Sequence, residues 1–204
     1  MERYEVHPVN PNQRAISKAV EALKQGSLVA YPTGMNYGVG CAVSSTQGVK
    51  NFNLLTQRLK RNRLHTIICN DISEVSRYAY ISNDVFKIMK RLLPGPYTFI
   101  LEASNLTPKV CQTRRSTIGV RTAQCPTMQA LLSGINGPIL NLTALHLASD
   151  ELIEDPSAIM NIYANTVSVL LDAGPVVAKM TTVLDFSSGE LVVVREGAGL
   201  VPNL

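Results

Sequence analysis

Leu28-Val29-Ala30-Tyr31 is wholly apolar, four residues long, and closed at once by Pro32-Thr33-Gly34. An apolar run of that length between breakers reads as a short buried strand ending in a turn. Ahead of it, residues 12–25 carry Ala15, Ile16, Ala19, Val20 and Leu23 on one side, and Gly26 stops them, the pattern of an amphipathic helix. Behind it, Gly38 to Val43 reads as a second strand. The alternation continues with a helix from Thr46, which can cap it, to about Leu59, and a strand over Thr66–Cys69. Asp71-Ile72-Ser73-Glu74 has the form of a capping box and predicts a short helix to about Tyr78. A further helix runs from Asn83 or Asp84 through Leu92 and is stopped by Pro94-Gly95-Pro96. Tyr97–Leu101, aromatic and β-branched, predicts a strand, and Thr117–Arg121 another. Thr127–Leu132 reads as helical, Ile139–Thr143 as extended, Pro156–Tyr163 as a helix with Pro in its first turn, and Val167–Leu171 as a strand. Thr181–Phe186 and Glu190–Val194, joined by Ser187-Ser188-Gly189, predict a hairpin. Strands alternate with helices early and dominate late. The expectation is a mixed α/β domain rather than a doubly wound Rossmann fold.

With 204 residues, 46% of them apolar, the chain can bury one sizeable core, so a single domain over 1–204 is expected. No apolar run approaches the roughly 18 residues of a membrane span, and Met1-Glu2-Arg3-Tyr4-Glu5 lacks the basic-then-apolar order of a signal peptide. A soluble, cytoplasmic protein without a membrane partner is the expectation. Cys41, Cys69, Cys111 and Cys125 are irregularly spaced without C-x-x-C, which argues for buried free thiols rather than zinc or a disulfide framework. His7, His65 and His146 show no ligand spacing, so no metal site is expected. The net charge of +4 is uneven: residues 1–125 carry 17 Lys and Arg against 7 Asp and Glu, and residues 126–204 carry 2 against 8. The first part is therefore +10 and the second −6, which suits an anionic partner on the first part, although a solvated basic face has the same composition.

Four groups of residues carry chemistry. The glycine-rich exit from the first strand supplies the hydroxyls of Thr33 and Tyr37, with no Walker lysine and no G-x-G-x-x-G nearby. Arg58, Lys60, Arg61 and Arg63 form a basic cluster after the second helix. Arg121 and Arg195 each stand at the end of a strand, the latter close to Thr181-Thr182 across the hairpin. A planar guanidinium in such a place grips carboxylate or phosphate oxygens with two hydrogen bonds; the alternative is an ion pair with an acid such as Glu196 or Asp185. There is no nucleophile–base pair and no carboxylate dyad, so no catalytic residue is assigned. Any catalysis should work by positioning and charge stabilisation.

The block Leu93-Pro94-Gly95-Pro96-Tyr97-Thr98-Phe99-Ile100-Leu101, followed by Thr117-Ile118-Gly119-Val120-Arg121 and Val193-Val194-Arg195-Glu196-Gly197-Ala198-Gly199, resembles the YrdC/YciO-like family. Tyr31-Pro32-Thr33, Tyr37-Gly38 and Thr181-Thr182-Val183-Leu184-Asp185 fall in the family's order, and the likeness runs from about Gln13 to Gly199. It is strongest to the YciO branch, including His7-Pro8 and Asn10-Pro11 at the start. The resemblance implies a twisted, mixed and largely parallel sheet with helices, enclosing a concave, positively lined face. It also implies L-threonylcarbamoyladenylate synthase chemistry: threonine, bicarbonate and ATP, with Mg²⁺, give threonylcarbamoyl-AMP and pyrophosphate for a tRNA adenosine modification. Thr33, Tyr37, Arg121, Thr143, Thr181 and Arg195 stand at family positions and form the expected ligand-binding set. Several positions depart from the pattern. Gly34 and Met35 replace the acid and the second hydroxyl of P-T-D-T-x-Y-G-L, Gln57 and Leu59 fall where K-x-R is expected, and Leu145 replaces the amide of S-x-N. These departures predict a weak or altered synthase. The alternative is a non-catalytic relative that binds double-stranded RNA or tRNA through Arg58, Lys60, Arg61 and Arg63. A pocket for another nucleotide or an acyl-phosphate is a third reading, since a fold does not fix its substrate.

Overall fold

The structure, a computed structural model, describes residues 1–59, 65–111, 113, 116–147 and 149–201. Its strands are β1 (Glu2–Glu5), β2 (Leu28–Pro32), β3 (Tyr37–Ala42), β4 (Thr66–Cys69), β5 (Tyr97–Glu102), β6 (Thr117–Thr122), β7 (Ile139–Thr143), β8 (Val167–Asp172), β9 (Thr182–Asp185) and β10 (Val192–Arg195). The helices are α1 (Gln13–Lys24), α2 (Thr46–Arg58), α3 (Ile72–Tyr78), α4 (Asn83–Leu92), α5 (Pro126–Ile135) and α6 (Pro156–Ile162). All ten strands form one sheet in the order β1-β8-β2-β3-β7-β4-β6-β5-β9-β10. The sheet is mixed, as expected, but less parallel than the family likeness suggested. Four neighbouring pairs run parallel (β1–β8, β2–β8, β4–β6, β5–β9) and the other five antiparallel. Direct hairpins such as β2–β3 and β9–β10 need only short turns, whereas every parallel neighbour needs a crossover.

Period-two alternation divides the core in two. Leu28 and Ala30 of β2 face one way with Val39, Phe99, Ile118 and Val120, against α2, α3, α4 and α6 through Phe52, Val75, Met89 and Ile159. Val29 and Tyr31 face the other way with Ile68, Ile139 and Leu171, beneath Ala19 and Leu23 of α1 and Met128 and Leu131 of α5. Among the described residues two helices cover part of that second face, and the remainder holds the cavity described below.

Helix starts follow local side chains. Ser45, not Thr46, caps α2, its hydroxyl accepting from the Gly48 amide at 3.1 Å, because Ser45 is the residue still in extended backbone. Asp71 caps α3 through the Glu74 amide at 2.8 Å, while Glu74 reaches back to the Asn70 amide at 2.7 Å. Ser82, one residue before the expected start, caps α4. β1 is a strand that the sequence did not announce. It lies at the sheet edge beside β8, held by an ion pair between Arg3 and the buried Asp172. No helix among the described residues is long and apolar enough to cross a membrane.

Candidate functional site

The uncovered face bears a cavity of about 500 Å³. Its floor comes from consecutive strands: Asn141 and Thr143 of β7, Thr66 of β4, Arg121 of β6, and Thr98 and Ile100 of β5. Its wall is Met180, Thr181, Val183, Val194 and Arg195. Gly40 and Gly38 of β3 pair with Asn141 and Thr143, so at those two positions the strand beside the floor carries no side chain on this face. A larger depression of about 810 Å³ lies between α1 and α5, but it brings together none of the groups that carry chemistry.

Arg121 and Arg195, far apart in sequence, line this one cavity, which among the described residues holds four threonines and no carboxylate. Arg121 is only 4% exposed, its Nε and Nη2 have no hydrogen-bond partner, and among the described residues it pairs with no carboxylate. Burial pulls its pKa down from the ordinary guanidinium range to about 10, with the Arg195 charge adding to the effect and Tyr31 and Cys125 opposing it. It remains a cation at neutral pH, carrying donors that the protein does not use. Arg195 is oriented by its own hairpin: Nε and Nη2 donate to the Thr181 carbonyl at 3.1 and 2.9 Å, and Nη2 lies 3.3 Å from the Thr181 hydroxyl. That hydroxyl is 2.8 Å from the Thr98 hydroxyl, so strand-end arginine and floor threonine form one chain. Deeper, the Tyr31 hydroxyl donates to Asn141 Oδ1 at 3.1 Å, and Asn141 Nδ2 donates to Thr66 at 3.3 Å. Burial raises the Tyr31 pKa well above its ordinary value, so this tyrosine stays a neutral donor.

Of the six expected ligand-binding residues, four meet here: Arg121, Thr143, Thr181 and Arg195. Thr33 and Tyr37 do not line the cavity. Tyr37 shares its strand face with Val39 and Cys41, which turns it to the opposite side of the sheet. There its hydroxyl donates to the Gly174 carbonyl at 2.7 Å and accepts from the Ala173 amide at 3.0 Å. Thr33 is 1% exposed, and its hydroxyl closes the turn on the Asn36 carbonyl and side chain, both at 3.0 Å. The turn acts one step removed. Asn36 Nδ2 donates to the Lys179 carbonyl at 2.9 Å and the Lys179 amide to the Met35 carbonyl at 2.8 Å, which fixes the strap leading to Met180 and Thr181. Gly34, in place of the family's acid, has φ +89, a conformation that L side chains rarely adopt. After β10, a Cβ on Gly197 would lie 2.5 Å from the Met180 carbonyl, so the chain must be glycine where it crosses the strap.

Arg58 is exposed at the end of α2 and outside the cavity lining; Lys60, Arg61 and Arg63 lie outside the described residues. Gln57 is exposed and Leu59 half-buried, and neither lines the cavity. Leu145 is fully buried, its backbone bracketed by the Tyr163 hydroxyl at 3.2 Å on both sides. Thr66, Thr98 and Asn141 are cavity residues that the motif reading missed. Two of them are polar side chains flanked by apolar residues, a signal present in Tyr97-Thr98-Phe99 and in Leu140-Asn141-Leu142.

A family profile covering Sua5, YciO and YrdC, described as telomere recombination, matches residues 21–197. The uncharacterized protein YciO of Escherichia coli K12 is 37% identical over 196 residues, covering 95% of this chain and 94% of that one. The threonylcarbamoyl-AMP synthase of Vibrio vulnificus YJ016 is 26% identical over 159 residues, covering 76% and 84%. The crystal structure of E. coli YciO superposes with a TM-score of 0.89 at 35% identity, covering 98% and 97%. That of P. abyssi Sua5 complexed with L-threonine gives 0.86 at 21% identity, covering 97% of this chain and 58% of that one.

Proposed function

The chain belongs to the Sua5/YciO/YrdC family, and on that premise we propose that its cavity binds an ATP- or AMP-like nucleotide beside an amino acid and supports weak or altered L-threonylcarbamoyladenylate synthesis. One observation carries the reading: a buried guanidinium with two unused donors faces a cavity that holds a second guanidinium and no acid. Such a site stabilises negative charge, and phosphates or carboxylates supply it.

In the proposed reaction the threonine amine first attacks the bicarbonate carbon, an N–C bond forms, a C–O bond breaks and water leaves, giving the carbamate. A carbamate oxygen then attacks the α-phosphorus of ATP, a new P–O bond forms, the bond to the β-phosphate oxygen breaks, and pyrophosphate leaves with the electron pair. Little covalent chemistry falls to the protein, whose part is to place the reactants and to offset developing charge. Arg121 and Arg195 supply the cations, and Thr66, Thr98, Thr143 and Thr181 the neutral hydrogen-bonding groups. Among the described residues the lining offers no carboxylate, so an ion accompanying ATP would be carried by the phosphates.

The test mixes the protein with threonine, bicarbonate, Mg²⁺ and labelled ATP. Pyrophosphate release that needs threonine and falls in an Arg121→Ala, Arg195→Ala double variant supports the proposal; a rate equal to the double variant's removes it. A second reading, binding of structured RNA or tRNA, rests on the +10 balance of residues 1–125 and on exposed Arg58. It predicts an affinity for duplex RNA that falls linearly with salt on logarithmic axes. Charge reversal at Arg58, Lys60, Arg61 and Arg63 should abolish that affinity, and unchanged binding would dismiss the cluster.

A further inference from the structure

A separate cavity of about 610 Å³ opens beyond the carboxyl ends of the parallel pair β4 and β6, between α3, α4 and α5. Crevices outside the carboxyl ends of strands are where α/β sheets gather ligands. It shares no lining residue with the Arg121 cavity, and Thr122 of this cavity follows Arg121 of the other on β6, where successive side chains point to opposite faces. Ile72, Phe86 and Leu93 make its apolar side, and Phe86 keeps 45% of its surface exposed although α4 buries its neighbours Val85 and Met89. The carboxamides of Asn70 and Gln129 also line it and make no hydrogen bond within the protein. Thr122 forms the back wall; it is 4% exposed, and its hydroxyl is one of the few buried polar atoms without a partner. A buried hydroxyl left unpaired costs stability, and nothing in the pairing of β6 with β4 requires one, since that register runs through backbone groups.

The charges differ in kind from those of the first cavity. Lys90 and Asp71 contribute one each, and Asp71 is already engaged in capping α3, so the lining is close to neutral. An anion gains little here. A flat ring does gain, through the exposed phenyl face, and a ring edge that alternates donors and acceptors suits carboxamides, as in the bidentate pairing of Asn or Gln with adenine. We propose that this cavity is a second binding site, for an uncharged purine base or nucleoside, with the ring against Phe86 and its edge read by Asn70, Gln129 and the Thr122 hydroxyl. The site is independent of the activity proposed for the first cavity, because an uncharged nucleoside lacks the phosphates that Arg121 and Arg195 would hold.

The test is calorimetric titration of the full chain with adenosine. Saturable binding is expected, unchanged in Arg121→Ala, weakened about tenfold or more in Phe86→Ala, and weakened severalfold in Thr122→Val. Phe86→Ala should fold, since its ring is half exposed, and Thr122→Val should melt at or above the parent temperature because it removes an unpaired hydroxyl. Absence of saturable binding at millimolar adenosine overturns the proposal. So does binding that Phe86→Ala leaves intact, or binding that Arg121→Ala abolishes.

Discussion

Arg121→Met should make the ligand-free protein more stable while removing its response to phosphate-bearing ligands. The Arg121 side chain is 4% exposed and leaves Nε and Nη2 unpaired. A buried donor without a partner costs about 1–3 kcal/mol. From the other direction, a guanidinium that burial pulls down to about 10 carries about 3 kcal/mol against its charged form. The two figures describe the same desolvation and are not added. Met keeps the length and apolar packing of the stem and brings no donors. The expected gain is about 1–3 kcal/mol, which for a chain of this size raises the melting midpoint by roughly 2–4 °C per kcal/mol. The assay is urea unfolding followed by circular dichroism, with and without ATP at about ten times its Kd. The parent should gain about 1.4 kcal/mol from the nucleotide and the variant nothing. If Arg121→Met were less stable than the parent without ligand by more than about 1 kcal/mol, the guanidinium would be a structural strut, and the reasoning from its unused donors would fail.

Three further outcomes follow from the same geometry. Affinity for tripolyphosphate should be flat with pH up to about 9 and fall as pH passes about 10, where Arg121 loses its charge; an affinity still flat at about pH 11 would assign the anion to another group. The linked stability has the opposite sense: the folded pKa lies below the unfolded one, so the cost of the buried charge is full below about 10 and is relieved as pH rises from there. Gly197→Ala puts a Cβ 2.5 Å from the Met180 carbonyl and should cost about 1–3 kcal/mol in urea unfolding while weakening tripolyphosphate binding through displacement of Thr181; parental values for both would show that the crossing is loose. Asn36→Ala removes the 2.9 Å bond to the Lys179 carbonyl and should cost about 1–3 kcal/mol, with faster amide exchange over residues 178–182 as the local readout.

The fold was legible wherever hydrophobic period and breakers agreed. Leu28–Tyr31, Tyr97–Leu101 and Thr117–Arg121 are strands because each is a short apolar or β-branched run with a stop beside it, and the hairpin of β9 and β10 follows from Ser-Ser-Gly between two such runs. What escaped was set by tertiary contacts. Glu2-Arg3-Tyr4-Glu5 has no apolar run at all and becomes a strand only because β8 offers a free edge and Asp172 a partner for Arg3. Ser45 and Thr46 are adjacent hydroxyls with equal claim as caps, and only backbone conformation separates them. At the cavity, Arg121, Thr143, Thr181 and Arg195 could be named from motifs, yet Tyr37 was misplaced although the needed signal was present. Its period-two relation to Val39 and Cys41 puts it on the helix-covered face, away from the arginines.

The departures from the synthase pattern bear on rate more than on binding. The elements that shape the cavity are intact: the Thr33–Asn36 turn anchors the strap, Gly197 lets the chain cross it, and Arg195 is aimed by Thr181. Among the described residues, however, the lining contains two cations, and neither Gln57 nor Leu59 adds one. Arg121 is already charged and unpaired before any reaction begins, so it attracts a bound phosphate or carboxylate in the ground state and in the transition state alike. Attraction present in both states acts mainly by lowering the concentration of ligand needed, and assists the chemical step less than a cation engaged only in the transition state. Acceleration needs donors placed where charge appears only as the pyrophosphate bond breaks, and each such donor is worth about 3–4 kcal/mol, two to three orders of magnitude in rate. A chain that retains the cradle but carries Gln57 and Leu59 where the pattern has cations should therefore bind nucleotide well and turn it over slowly. Grafting Gln57→Lys with Leu59→Arg should raise kcat with little change in KM, and a change confined to KM would show that the missing cations were not the reason.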